Sequence, residues 1–226
     1  GVTAESVLLE NCVDTHPFRD PAHPRSREEF GFPGDSVVFC YLGRIGAEKN
    51  MELLTDAVVM AARDVPEIHL LVLGDGPLMA QTRTRLSEAG LDDRVHFAGL
   101  TPYAEVPGCL AAADVFVTAS ISETYPLVVM EAAAAGLPAI GVRSPGIEDI
   151  IEDGVTGYLV PEDADAFAAR MRELARDAMA RGRMSQAARA AADRFDIRVK
   201  ADEMLGHYRR LIEERRSGDR TAAGSS

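Results

Sequence analysis

The chain has 226 residues, 46% of them apolar, and a formal net charge of −12. That length can enclose a full hydrophobic core, while an acidic balance with a pI near 4.9 opposes nucleic-acid binding and broad attraction to anionic lipid, leaving room for a local basic pocket. Cys12, Cys40 and Cys109 and the five histidines show no disulfide or zinc spacing, so the cytoplasm is the natural compartment. No stretch reaches the ~18 apolar residues of a membrane span, and membrane contact is not indicated.

In chain order, Gly1-Val2-Thr3-Ala4 is neither an initiator methionine nor a signal peptide. Residues 1–36 read as a lead-in segment and linker. Its four prolines at 17, 21, 24 and 33 predict an irregular connection with one helical turn near 25–30. From Val37 apolar runs alternate with amphipathic ones. Strands are expected at 37–42, 68–73, 95–98, 115–118, 138–142 and 157–160. Helices are expected at 51–63, 78–88, 104–112, 126–135, briefly after Gly146, at 163–172, at 184–194 and in a final segment, 196–216. Residues 217–226 are Gly-, Ser- and Ala-rich and read as a disordered tail.

Strands apolar throughout imply a sheet buried on both faces. Alternation with helices makes it a parallel, doubly wound, Rossmann-like α/β sheet of about six strands over residues 37–195. Such sheets bind ligands beyond the carboxyl ends of their strands, where strand order reverses. Every candidate motif follows a strand: 43–49 the first, 74–76 the second, Gly99 the third and 120–123 the fourth. Gly74-Asp75-Gly76 lacks the third glycine of a dinucleotide fingerprint, which argues against NAD. His69 and His96 sit in strand-like runs and read as structural.

The most informative stretch is 120–141, a loop and a helix between two strands, with Pro126 placed for the first helical turn and Gly136 for the end. Glu123 and Glu131, eight residues apart, stand roughly two turns from one another near a helix N-terminus that attracts anions. Two carboxylates beside an anion site suit a ligand with hydroxyls at both ends and phosphate between them, as in a nucleotide sugar. Read separately, the same glutamates could be a glycosidase pair or a capping pair.

This stretch, with Asp114 through Ser120 before it and Ala135-Gly136-Leu137-Pro138 after it, resembles the signature of retaining GT-B glycosyltransferases of the GT4, or group 1, family. Gly43-Arg44 with Lys49, Gly74-Asp75-Gly76-Pro77, Val95 through Gly99, and Asn11 through Phe18 resemble further family motifs in the family's order, over about residues 8–195. The resemblance implies the C-terminal, nucleotide-sugar-binding half of a GT-B fold, cut from an enzyme whose N-terminal acceptor domain is missing here and which passes a sugar from a nucleoside-diphosphate sugar to an acceptor. The piece alone is expected to be nearly inactive. The resemblance assigns catalytic roles to Arg44, Lys49 and Glu123. It places Glu131 at the ribose, Gly43, Gly74, Gly76 and Gly99 in the ligand-facing turns, Leu100 and Thr101 at the base, and the backbone of Thr124, Tyr125 and Leu127 at the phosphates. No cofactor and no metal of the Asp-x-Asp type are expected, because cations replace it. In such enzymes the last helix crosses to the N-terminal domain, so 208–212 is expected to expose apolar surface.

Two positions depart from the family. Pro126 stands where glycine is common and has no N–H to offer, and Pro145 replaces one of two adjacent glycines, with Glu148-Asp149 in place of Pro-Glu. The competing readings are a non-catalytic nucleotide-binding or protein-interaction module and a GT-B sugar-nucleotide epimerase or phosphorylase.

Overall fold

The computed structural model describes residues 10–223; the lead-in residues 1–9 and the last three, 224–226, lie outside the described residues. Six strands, β1 (Val37–Leu42), β2 (Ile68–Leu73), β3 (Val95–Gly99), β4 (Val115–Thr118), β5 (Ala139–Val142) and β6 (Gly157–Val160), pair in parallel in the order β3-β2-β1-β4-β5-β6. The expected doubly wound sheet is present. β5 begins one residue late because Pro138 has no N–H for the ladder, although its carbonyl still accepts from Phe116 N at 2.9 Å.

The helices are α1 (His16–Arg19), α2 (Met51–Asp64), α3 (Met79–Glu88), α4 (Val106–Leu110), α5 (Leu127–Ala135), α6 (Ala164–Arg176), α7 (Ala178–Ala191) and α8 (Ile197–Ala223). Side chains alternate across each strand, so the sheet separates two cores. Val37, Phe39 and Tyr41 face α2 and α6 on one side. Val38, Cys40 and Phe116 face α4, α5 and the lead-in residues Phe18, Phe30 and Phe32 on the other. His69 is buried with Nδ1 2.9 Å from Glu67 O and its ring 5.1 Å from Phe32, and His96 lies edge-on to Phe30 at 5.2 Å, so both histidines pack.

Several local expectations need correction. The short helix after Gly146 is a run of turns, with Ile147 N bonded to Ser144 O and Ile151 N to Ile147 O; Gly146 at φ +80 leaves the right-handed path. The lead-in has a four-residue helix, α1, before the expected turn at Arg27–Phe30. α7 starts six residues early because Asp177 caps it, accepting from Ala180 N at 2.8 Å. α8 continues past residue 216 into the stretch expected to be a disordered tail, since a lone Gly218 weakens a helix by only about 1 kcal/mol.

The two ends of the sheet domain meet. Val13 N donates to Phe195 O and Ile197 N to Val13 O, both at 2.9 Å, and the Thr15 hydroxyl meets Asp196 at 2.5 Å. Along α8, Leu205, Tyr208, Leu211 and Ile212 are about half exposed, as expected for 208–212.

Phe116 is fully buried on the central strand β4. Phe116→Ala is expected to lower unfolding free energy by about 3–5 kcal/mol, read as a lower urea midpoint at unchanged slope.

Candidate functional site

The loops at the carboxyl ends of β1, β2 and β3 are bonded backbone to backbone. Gly43 N donates to Leu73 O at 2.9 Å, Ile45 N to Asp75 O at 3.0 Å, Leu78 N to Ile45 O at 3.0 Å and Gly74 N to Gly99 O at 2.8 Å. This closeness explains the glycines. A Cβ on Gly74 would lie 1.9 Å from Gly43 O, and one on Gly76 2.3 Å from Ile45 O. Both seat one turn against its neighbour. Gly99 has open space around it but φ +71, so there the backbone conformation is what demands glycine. Gly43, Arg44, Gly74, Gly76, Leu100 and Thr101 line a cleft of about 720 Å³ with Leu42, Leu73 and Asp75, and Leu100 is 81% exposed.

Beside this cleft each expected cation already has a carboxylate. Arg44, largely exposed, is 3.6 Å from Glu48, and Lys49 Nζ is 2.5 Å from Glu123 Oε1 with both side chains mostly buried. The hydroxyls of Ser120 and Ser122 lie 3.5 and 3.4 Å from Glu48 O, so the loops after β1 and β4 are joined through main chain as well as charge. Below them Tyr41 donates to Arg44 O at 2.7 Å. Burial, then the nearby Glu123 and Glu48 carboxylates, pushes its ionisation far up.

Pro126 is the cap of α5, with extended φ −76 and ψ 111, and not its first residue. The helix starts at Leu127; the N–H groups of Leu127 and Val128 have no partner within the helix, while Val129 N donates to Pro126 O at 3.2 Å. Thr124 is exposed, Tyr125 is half-buried and Leu127 is 43% exposed. Gly146 backs this loop: a Cβ there would lie 2.6 Å from the carbonyl oxygens of both Glu123 and Thr124. The loop with Pro145 thus supports the Glu123–Thr124 peptide even without a second glycine.

Glu131, one and a half turns into α5, is only 4% exposed. Burial raises its pKa, with an opposing hydrogen bond from the Tyr103 hydroxyl, and burial followed by Glu131 pushes Tyr103 up to about 12. Glu123 faces Lys49 while Glu131 faces Tyr103. The two carboxylates thus have different neighbours.

Sequence reasoning gave no role to Tyr103, nor to Glu48, Ser120 and Ser122 within the 43–49 and 120–123 motifs; their signal was position alone, just past strand ends. It also overlooked an Asp-x-Asp pair, Asp163 and Asp165, which the structure explains as a helix start: Asp163 Oδ1 accepts from Ala166 N at 2.8 Å. Among the described residues no group of three His, Cys, Asp or Glu side chains is placed to hold a metal ion, and no helix is long and apolar enough to cross a membrane. The three cysteines are free thiols.

Two measurements follow from this geometry. Gly74→Ala is expected to unfold the chain or lower its melting temperature far more than Gly99→Ala, which should cost about 1–2 kcal/mol for φ alone; equal effects would contradict the packing account. A carboxyl with a raised folded-state pKa favours folding while protonated and loses that contribution as pH rises through the folded value. Glu131→Gln is therefore expected to melt higher than the parent at pH 7, with the gap closing below about pH 4.

The chain was also compared with known proteins. The sequence model of the family described as "Glycosyl transferases group 1" matches residues 23–191, about three quarters of the chain. A D-inositol 3-phosphate glycosyltransferase of Saccharomonospora viridis is 31% identical over 210 residues, 88% of this chain and 49% of that protein. A GDP-mannose-dependent alpha-(1-6)-phosphatidylinositol monomannoside mannosyltransferase of Mycolicibacterium smegmatis is 33% identical over 211 residues, 88% of this chain and 55% of that protein. Among solved structures, the pneumococcal O-GlcNAc transferase GtfA in complex with UDP and GlcNAc superposes with TM-score 0.68 at 25% identity, over 91% of this chain and 38% of that one. The chain spans about half the length of the relatives it matches. Together, the parallel sheet, the joined carboxyl-end loops and the family match show that this chain belongs to the group 1 glycosyltransferases, as the C-terminal, Rossmann-like half of a GT-B fold.

Proposed function

We propose that this chain is the donor half of a retaining, GT4-type glycosyltransferase, and that it holds a nucleoside-diphosphate sugar whose sugar passes to an acceptor bound by a preceding domain. The observation that carries the reading is the Lys49–Glu123 pair where the loops after β1 and β4 are joined, with Arg44 on the β1 loop lining the open cleft. A bound diphosphate exchanges weak carboxylate partners for its own charge. An exposed pair such as Arg44–Glu48 contributes at most about 1 kcal/mol, so Arg44 is released at little cost, and Lys49 turns from Glu123 to phosphate. As the bond to the sugar breaks, charge grows on the leaving diphosphate. Two fixed cations and the first N–H groups of α5 then act more strongly on the transition state than on the ground state.

Glu123, freed by Lys49, accepts from hydroxyls of the donor sugar. Glu131 is already desolvated, and ribose hydroxyls supply the donors that its buried carboxylate lacks. The backbone of Thr124, Tyr125 and Leu127 faces phosphate, and Leu100 and Thr101 face the base. The cations do the work of a metal ion, and the cytoplasm, where sugar nucleotides are made available, is the proposed compartment. The pneumococcal structure holds UDP, and the mycobacterial relative is named for GDP-mannose, so both bases enter the test.

Titration calorimetry of the chain with UDP, GDP and ADP is expected to show one preferred nucleotide. Lys49→Ala and Glu131→Ala should each weaken it about tenfold or more, the range for losing a charge-assisted hydrogen bond. No binding of any nucleotide at millimolar concentration by folded protein, or unchanged affinity in both variants, would favour a non-catalytic interaction module.

A further inference from the structure

Tyr125 belongs to the loop proposed to hold the phosphates through its main chain, but its side chain points elsewhere. The ring meets Phe195 edge-on, with centroids 6.3 Å apart at 79°, and burial followed by the nearby Glu10 carboxylate raises the ionisation of the hydroxyl. Both partners belong to the junction where the chain enters and leaves the sheet domain. Phe195 O accepts from Val13 N, and Ile197 N donates back to Val13 O. Arg194 covers the Phe195 ring at 4.6 Å and bonds Asp149 O at 2.6 Å. Glu10 is held in turn by Lys200, which is 9% exposed and lies 3.1 Å from both Glu10 and Glu203. Lys200 thus links Glu10 to α8 through two half-exposed carboxylates.

We propose that Tyr125 is a positioning residue that ties the donor loop to this junction, so that a nucleotide held by the loop also tightens the contact between the lead-in segment around Val13 and the start of α8. One residue reaches both because its backbone lies at the mouth of α5 and its ring lies over the second core, whose outer layer is the junction itself. The ligand part rests on the donor-site reading; the tie does not.

Amide hydrogen exchange on the 226-residue chain tests the two separately. In the free protein Tyr125→Ala is expected to speed exchange at Val13 and Ile197 about 2- to 10-fold, the size of losing one edge-to-face contact. Tyr125→Phe, which keeps the ring and loses the hydroxyl, should have a smaller effect. Amides of β1 serve as the control for intact folding. Unchanged exchange at Val13 and Ile197 in Tyr125→Ala, with β1 protected as in the parent, overturns the tie. With millimolar UDP or GDP, exchange at Val13 and Ile197 should slow in the parent and not in Tyr125→Ala. Protection of 43–49 with none at the junction in the parent would refute the coupling and leave the donor site standing. Protection at neither place, together with faster junction exchange in Tyr125→Ala, would refute the donor site and leave the tie standing.

Discussion

The whole site depends on one constraint, the reversal of strand order between β1 and β4. From β1 the chain moves through α2 to β2 on one side, and from β4 through α5 to β5 on the other. Right-handed crossovers then place α2 and α5 on opposite faces, so the loops leading into them diverge and leave a crevice above the paired strands. α4 carries the chain from the outer strand β3 back across β2 and β1 to β4, over the second core. That single long crossing brings the segment after β3, with Tyr103, next to Glu131 on α5.

Within this crevice, backbone does more fixing than side chains. Five glycine-dependent approaches or turns, at 43, 74, 76, 99 and 146, set the heights of the loops, and main-chain bonds between consecutive loops hold them there. The charged side chains are the adjustable part. Arg44 and Lys49 are positioned by loops and balanced by Glu48 and Glu123, so neither cation is left uncompensated in the free chain. Glu131 is the opposite case, a carboxylate held in a low-dielectric place by a rigid helix, with one hydroxyl neighbour.

The strands were legible almost to the residue, because they are apolar runs bounded by turn residues and separated by amphipathic segments. Helix ends were less legible. Pro126 reads equally well as first residue or cap until its φ and ψ are known, and the early start of α7 rests on one aspartate. The turn after Gly146 defeats a pattern reading, since its apolar spacing is helical and only the left-handed glycine breaks it. Of the site, Glu123 and Glu131 stood out by their spacing near a helix start, and Arg44 and Lys49 through the family motif that carries them. Tyr103 did not, since its importance comes from Glu131, far away in sequence.

By itself the sequence determined the class of fold, the edge of the sheet at which the motif loops gather and the residue types they carry. These follow from local periodicity and from the conformational limits of glycine and proline, which each segment carries alone. Only the tertiary structure decided which groups meet: Lys49 with Glu123 rather than solvent, Glu131 with Tyr103, the Tyr125 ring with Phe195, and Gly74 against Gly43. Such pairings depend on strand order and crossover, set when the two cores close over the whole sheet, and no window of neighbouring residues contains them.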